Sequence, residues 1–150
     1  MDTIYMREAL REANKAYSTY EVPIGAVIVF DGKIIGKGYN QKEALNNPLA
    51  HAELIAINQA SKHLGQWRLT GCTMYVTLEP CAMCAGALVN SRIDRLVIGA
   101  RDLRMGCAGT VEDITCHDKF NHKIQVEHGL LGEECSSILS NFFKELRKKK

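Results

Sequence analysis

The feature that most restricts the fold is an alternation of two hydrophobic periods along the chain. Residues 25–30, Gly-Ala-Val-Ile-Val-Phe, form an apolar run of strand length. Asp31-Gly32 is a strong two-residue hairpin signal, so residues 33–39 should return as a second, antiparallel strand. Residues 73–78 and 96–100 read as further strands, and 124–127 as a short fifth. The segments between them have helical spacing. Met6, Ala9, Leu10, Ala13 and Tyr17 share one face of a first helix that Asp2 can cap. Residues 49–64 read as a second helix, with Leu54, Ile55, Ile57 and Ala60 among its apolar positions. Pro80 sits where a third helix would begin, running through Ala85, Leu88 and Val89. The last helix aligns Leu131, Cys135, Ile138, Leu139, Phe142 and Leu146. Helices alternating with strands cover both faces of one sheet. The expected fold class is therefore α/β: three layers, α/β/α, around a mixed five-stranded sheet.

The 150 residues suit a single domain, 1–150, with no repeat or linker. An apolar fraction of 46% and 24% charged residues are those of an ordinary globular chain. No apolar stretch approaches the ~20 residues that span a bilayer. The start lacks a basic segment leading into an apolar run, so the expected location is the cytoplasm. In that setting six cysteines suggest metal binding or catalysis before disulfides. The net charge of +2 is uneven. Residues 144–150 hold five basic residues and one acidic, leaving 14 basic and 16 acidic elsewhere. Such an end suits a helix C-terminus, and it also suits a polyanion.

Two motifs carry chemistry: His51-Ala-Glu53 and Pro80-Cys-Ala-Met-Cys84, each at the start of an expected helix. Unpaired N–H groups and the helix dipole favour a thiolate there, and the thiolate is the form that binds zinc. Cys81 and Cys84, three apart, point the same way in a first turn, and His51 adds a nitrogen. Three protein ligands leave a fourth tetrahedral position open, the plan of a catalytic Zn2+ site. Glu53, two residues from His51, can take a proton from water and deliver it to a substrate. Two other readings stay open. The cysteines could form a redox pair opening a helix, which leaves His51-Ala-Glu53 unexplained. The metal could instead be structural, with Cys72 or Cys107 as fourth ligand.

The joint order H-x-E…P-C-x-x-C resembles the signature of zinc-dependent nucleobase deaminases. Further segments extend the likeness over nearly the whole chain: Glu21-Val-Pro-Ile-Gly-Ala-Val, Gly38-Tyr-Asn40, Trp67-Arg-Leu, Ser91-Arg-Ile, Gly99-Ala-Arg-Asp102, Phe120-Asn-His122 and Asn141-Phe-Phe143. With these, the sequence resembles the bacterial tRNA-specific adenosine deaminases of the cytidine deaminase-like superfamily. That resemblance implies deamination of the wobble adenosine of a tRNA anticodon to inosine. It also implies a homodimer with the anticodon stem-loop lying across both subunits. It assigns one Zn2+ per subunit to His51, Cys81 and Cys84, and the proton shuttle to Glu53. Asn40 and Asn121 resemble asparagines that contact the target nucleotide. Phe143 and the basic helix end, Arg147 and Lys148, resemble elements that touch the anticodon loop; Arg104 is a further cation for phosphates. Where the family often has Asp-Pro-Lys, this chain has Asp102-Leu-Arg104, which keeps the charge and loses the proline. Enzymes acting on a free base or nucleoside, of guanine or cytosine type, share the zinc motifs and the fold, so the alternative is such an activity.

Overall fold

The hairpin of β1 (Gly25–Phe30) and β2 (Lys33–Tyr39) turns on Asp31 and Gly32, at φ of 52° and 74°. Two successive positive φ values define the turn whose twist matches paired strands. The computed structural model describes residues 1–149; Lys150, the last of the basic end, lies outside the described residues. Strands β3 (Thr73–Leu78), β4 (Arg95–Ala100) and β5 (Gln125–His128) complete a five-stranded sheet of order β2-β1-β3-β4-β5. β1 pairs antiparallel with β2 and β3, while β3–β4 and β4–β5 are parallel. The mixed sheet expected from the hairpin and the later alternation is the one observed.

Alternation along each strand builds two cores. Ala26, Ile28, Met74, Val76, Leu96 and Ile98 pack against α2 (Ala52–Leu64) and α3 (Ala82–Asn90). Val27, Val29, Tyr75 and Val97 face α1 (Asp2–Ser18) and α4 (Gly132–Lys148). Successive side chains point to opposite faces of a strand, so neighbours in sequence supply different layers. Among the described residues no helix is long and apolar enough to cross a membrane.

Several local expectations are corrected. Asp2 is the first helical residue and not a side-chain cap; its carboxylate takes the Tyr75 hydroxyl and the Arg95 guanidinium at 2.6 and 2.7 Å. α2 begins at Ala52 and not at residue 49, because His51 is extended, at φ −80° and ψ 152°. Its buried face is Ala52, Ala56 and Ala60, while Leu54, Ile55 and Ile57 are half-buried. The reason lies in β2: a Cβ on Gly36 or Gly38 would overlap the Ala56 or Ala52 carbonyl oxygen. Backbone packed that closely on backbone admits only small side chains. Pro80 lies two residues before α3, whose N-cap is Cys81.

β2 and β3 run the same way, opposite to β1. The start of β1 and the ends of β2 and β3 therefore share one sheet edge, and the motif-bearing helices α2 and α3 begin there.

Candidate active site

His51 is the N-cap of α2 and Cys81 that of α3, and Cys84 follows three residues on. His51 Nδ1 lies 3.8 Å from Cys81 Sγ and 3.6 Å from Cys84 Sγ. Zn–S bonds of about 2.3 Å and Zn–N of about 2.0 Å separate N and S by about 3.5 Å across a tetrahedral centre. The three ligand atoms thus fit zinc with little adjustment. Among the described residues the cluster has three members. Cys72 lies in the core with Met74, and Cys107 is buried outside the cluster. Neither serves as a fourth ligand, and both motif cysteines face an imidazole nitrogen.

The two sulfurs are unequal. A hydrogen bond from Cys84 pulls the Cys81 thiol down to about 5. That same bond, followed by burial, pushes Cys84 up. Cys81 also benefits from the backbone N–H groups of Met83 and Cys84, unpaired within the first turn of α3.

Glu53 is the second residue of α2 and is buried against Cys84. Burial pushes its carboxyl up to about 7, and the negative charge of Cys81 adds to the rise. A carboxyl held near neutrality can both accept and return a proton.

His51 and Glu53 form one wall of a cavity of about 150 Å³ whose other walls are Val22, Ile24, Asn40 and Lys42. Asn40 Nδ2 donates to Val22 O at 3.2 Å, and its Oδ1 accepts Lys42 N–H at 3.1 Å. Its amide is therefore a turn former and also a fixed wall of the cavity, with a second N–H to spare. Glu21, buried, accepts the N–H groups of Glu43 and Ala44 at 3.0 and 2.7 Å and holds the loop behind Asn40.

Arg104 and Phe143 come together around a second cavity of about 790 Å³, which shares Val22 and Ile24 with the first. Phe142 is core, edge-on to Tyr17, while Phe143 is 40% exposed. The loop bearing Arg104 is tied down without proline. Asp102 Oδ1 accepts the N–H groups of Arg104 and Met105 at 3.0 and 3.1 Å. Arg147 and Lys148 are exposed in the last turn of α4. Asn121 is not brought to the cluster; it lines a separate cleft with Asn90 and Arg92, near the far end of α3. His122 instead meets Ile93 O at 2.6 Å.

Glu79 was missed from the sequence as a separate site residue. It is buried, immediately before Pro80-Cys81, and accepts four hydrogen bonds from the segment 102–110. A carboxylate at the end of an apolar strand was the available signal, since a buried charge must be paired.

Comparisons with known proteins agree with this geometry. A model of the MafB19-like deaminase family matches residues 1–147. A tRNA-specific adenosine deaminase of Bacillus subtilis (strain 168) is 52% identical over 149 residues, 99% of this chain and 92% of the relative. A solved structure from a study of A-to-I editing by tRNA:A34 deaminases at the wobble position superposes with a TM-score of 0.88 and 43% identity. It covers 91% of this chain and 99% of the other. A guanine deaminase from Nitrosomonas europaea shares the fold, with a TM-score of 0.80 at 23% identity over 93% of this chain and 83% of that one. With His51, Cys81 and Cys84 converging at two helix starts and a relative identical at half of all positions, the chain belongs to the tRNA-specific adenosine deaminase family.

Proposed function

We propose that this protein hydrolytically deaminates adenosine to inosine at the wobble position of a tRNA anticodon. The observation that carries this reading is the juxtaposition of the His51–Cys81–Cys84 cluster with a buried Glu53 in a cavity sized for one nucleobase. RNA loops are recognised by splaying bases out, and a base must leave its stack to be processed.

His51, Cys81 and Cys84 would hold one Zn2+ per subunit. Bound there, zinc makes water acidic enough to supply hydroxide near neutral pH. Val22 and Ile24 flank the base on apolar surface, and Asn40 offers its spare N–H to the nucleoside. Glu53 takes the proton from water as oxygen adds to the carbon bearing the exocyclic amine. It delivers that proton to the adjacent ring nitrogen, then carries the proton of the newly added hydroxyl to the amine, which leaves as ammonia as the carbon–oxygen bond becomes a carbonyl. Buried on the wall of the same cavity as His51, Glu53 is positioned for both halves of this exchange. Arg104 and Phe143 line the adjoining cavity and offer a cation and an aromatic face to the anticodon loop, while Arg147 and Lys148 add cations at the end of α4.

We also infer a homodimer working in the cytoplasm. Leu54 and Ile55 on α2, and Met83 and Ala87 on α3, stay partly exposed, which supports a second copy against these helices. The Asn121 cleft, remote from its own cluster, is consistent with RNA that touches both subunits.

The test is incubation with bacterial tRNA followed by nucleoside analysis, alongside free adenosine, guanine and cytidine. Inosine at an anticodon wobble position, absent with Glu53→Ala, supports the reading. Deamination of a free base alone overturns it in favour of a nucleobase enzyme.

A further inference from the structure

Beside the metal motif, one buried carboxylate gathers the loop that follows β4. Glu79 comes directly after β3, is 2% exposed and precedes Pro80-Cys81. Its Oε1 accepts the Asp102 N–H at 3.1 Å and the Thr110 hydroxyl. Its Oε2 accepts the Ala108 and Thr110 N–H groups at 2.9 and 3.1 Å. Each oxygen therefore has two donors, which fills the capacity of a carboxylate. The backbone on either side is joined as closely: Glu79 N–H reaches Ala100 O and Cys107 N–H reaches Pro80 O, both at 2.9 Å. A Cβ on Gly106 would lie 2.5 Å from the Glu79 carboxyl carbon, so this packing leaves no room for a side chain there.

Thr110 carries this network outward. Its hydroxyl donates to Glu79 and accepts Arg101 Nη1–H at 3.0 Å. Arg101 is exposed and, among the described residues, pairs with no carboxylate directly. It lines the 790 Å³ cavity beside Asp102 and Arg104, and that cavity shares Val22 and Ile24 with the catalytic one. An ordinary solvated arginine keeps its rotamer freedom. Here the guanidinium is anchored on a hydroxyl that a buried carboxylate already orients. A hydroxyl that donates and accepts at once strengthens both bonds in the same sense. Valine has the same shape and can do neither.

We propose that Thr110 is a positioning residue for deamination: it locks Arg101 to Glu79 and so fixes the wall of the adjoining cavity against the segment that carries Cys81 and Cys84. The inference rests on the proposed deamination of a tRNA anticodon. A substrate spanning both cavities must present its reacting base to Glu53, and a misplacement of about 1 Å costs on the order of 100-fold in rate. The relay removes that freedom without touching the reacting base. The loop backbone does not depend on the Thr110 hydroxyl. The Ala108 carbonyl is held separately by His128 Nε2 at 2.9 Å, and Cys107 O accepts the Ile114 N–H at 3.0 Å.

The experiment uses the full zinc-loaded chain and an anticodon-hairpin RNA. The single-turnover rate of inosine formation at saturating enzyme is measured beside the dissociation constant. Thr110→Val should lower the rate about tenfold, part of the cost of such a misplacement, with the dissociation constant kept within about twofold. Thr110→Ser, which keeps the hydroxyl, should restore the rate. Arg101→Ala should lower it by the same factor as Thr110→Val. The double variant should fall no further, because both substitutions break one relay. Zinc content and melting temperature are followed alongside. A threonine that serves the fold alone would lower the melting temperature and leave the rate intact well below it, which overturns the proposal. If Thr110→Val fails to fold or to hold zinc, Arg101→Ala still decides, since its side chain is exposed. An unchanged rate in that variant overturns the proposal, as do losses that multiply in the double variant. A wild type that converts no hairpin overturns the deaminase reading and this proposal with it. Wild-type conversion with unaffected variants overturns this proposal alone.

Discussion

The Glu79 carboxylate accepts the Ala108 backbone N–H at 2.9 Å, fastening the segment that carries Arg104 to the residue two before Cys81. Asp102 and Thr110 N–H groups reach the same carboxylate at 3.1 Å each. Burial works to raise its pKa, and the bonds from Thr110, Ala108 and Asp102 overcome that and hold it below its ordinary value. A depressed carboxyl contributes stability above its unfolded pKa and loses it as pH falls through the folded one. Glu79→Gln should therefore cost roughly 1.5–3 kcal/mol, the scale of hydrogen bonds to a charged group. Urea unfolding at pH 7 measures this, and the deficit should shrink in acid.

Glu53→Ala should keep the zinc and lose deamination by at least about 100-fold, the lower end for removing a positioned general acid–base. Metal content by elemental analysis, beside the rate of inosine formation, separates the two effects. Metal loss in this variant would mean that Glu53 is a ligand. Cys81→Ala should lose metal and activity together.

Gly38→Ala should disturb the metal site without touching a ligand. The new methyl would overlap the Ala52 carbonyl oxygen, at the start of the helix that His51 caps. Overpacking of this kind costs about 1–3 kcal/mol. The expected result is a lowered melting temperature and weaker zinc retention against a chelator. An unchanged chelator profile would show that α2 can retreat without moving His51.

The ion cluster at the other sheet edge should set part of the acid sensitivity. Hydrogen bonds from Arg95 and then Tyr75 lower the Asp2 carboxyl to about 2, from 3.8. Its stabilising share is complete above about pH 4 and disappears between there and about pH 2. Asp2→Asn should flatten the stability-versus-pH curve in that window and leave it unaltered near neutrality, apart from a constant offset. Denaturant titrations at stepped pH decide this.

Removal of residues 147–150 should weaken hairpin binding mainly at low salt and lower the salt slope by about 0.7 to 0.9 for each lost phosphate contact. Zinc content should be unaffected, because Arg147 and Lys148 lie in the last turn of α4, away from the ligand cluster. A salt slope equal to that of the full chain would remove this end from the RNA interface.

Local chemistry made much of this protein legible in its sequence. The β1–β2 turn follows from Asp31-Gly32, and the strand limits 25–30, 33–39 and 73–78 from where the apolar runs stop. The metal cluster was readable because its spacing is local: Cys81 and Cys84 share one helical turn, and Glu53 follows His51 by two residues. Tertiary packing decided the rest. It put Ala52, Ala56 and Ala60 on the buried face of α2 and left Leu54, Ile55 and Ile57 half-buried, since contact with Gly36 and Gly38 of β2 sets how near α2 can come. It turned Asp2 from a cap into a partner of Arg95, 93 residues away. It left Asn121 in a cleft apart from the zinc ligands. Glu79 shows why: its role depends on N–H groups 23 to 31 residues downstream, and no local period of the chain encodes where those will come to lie.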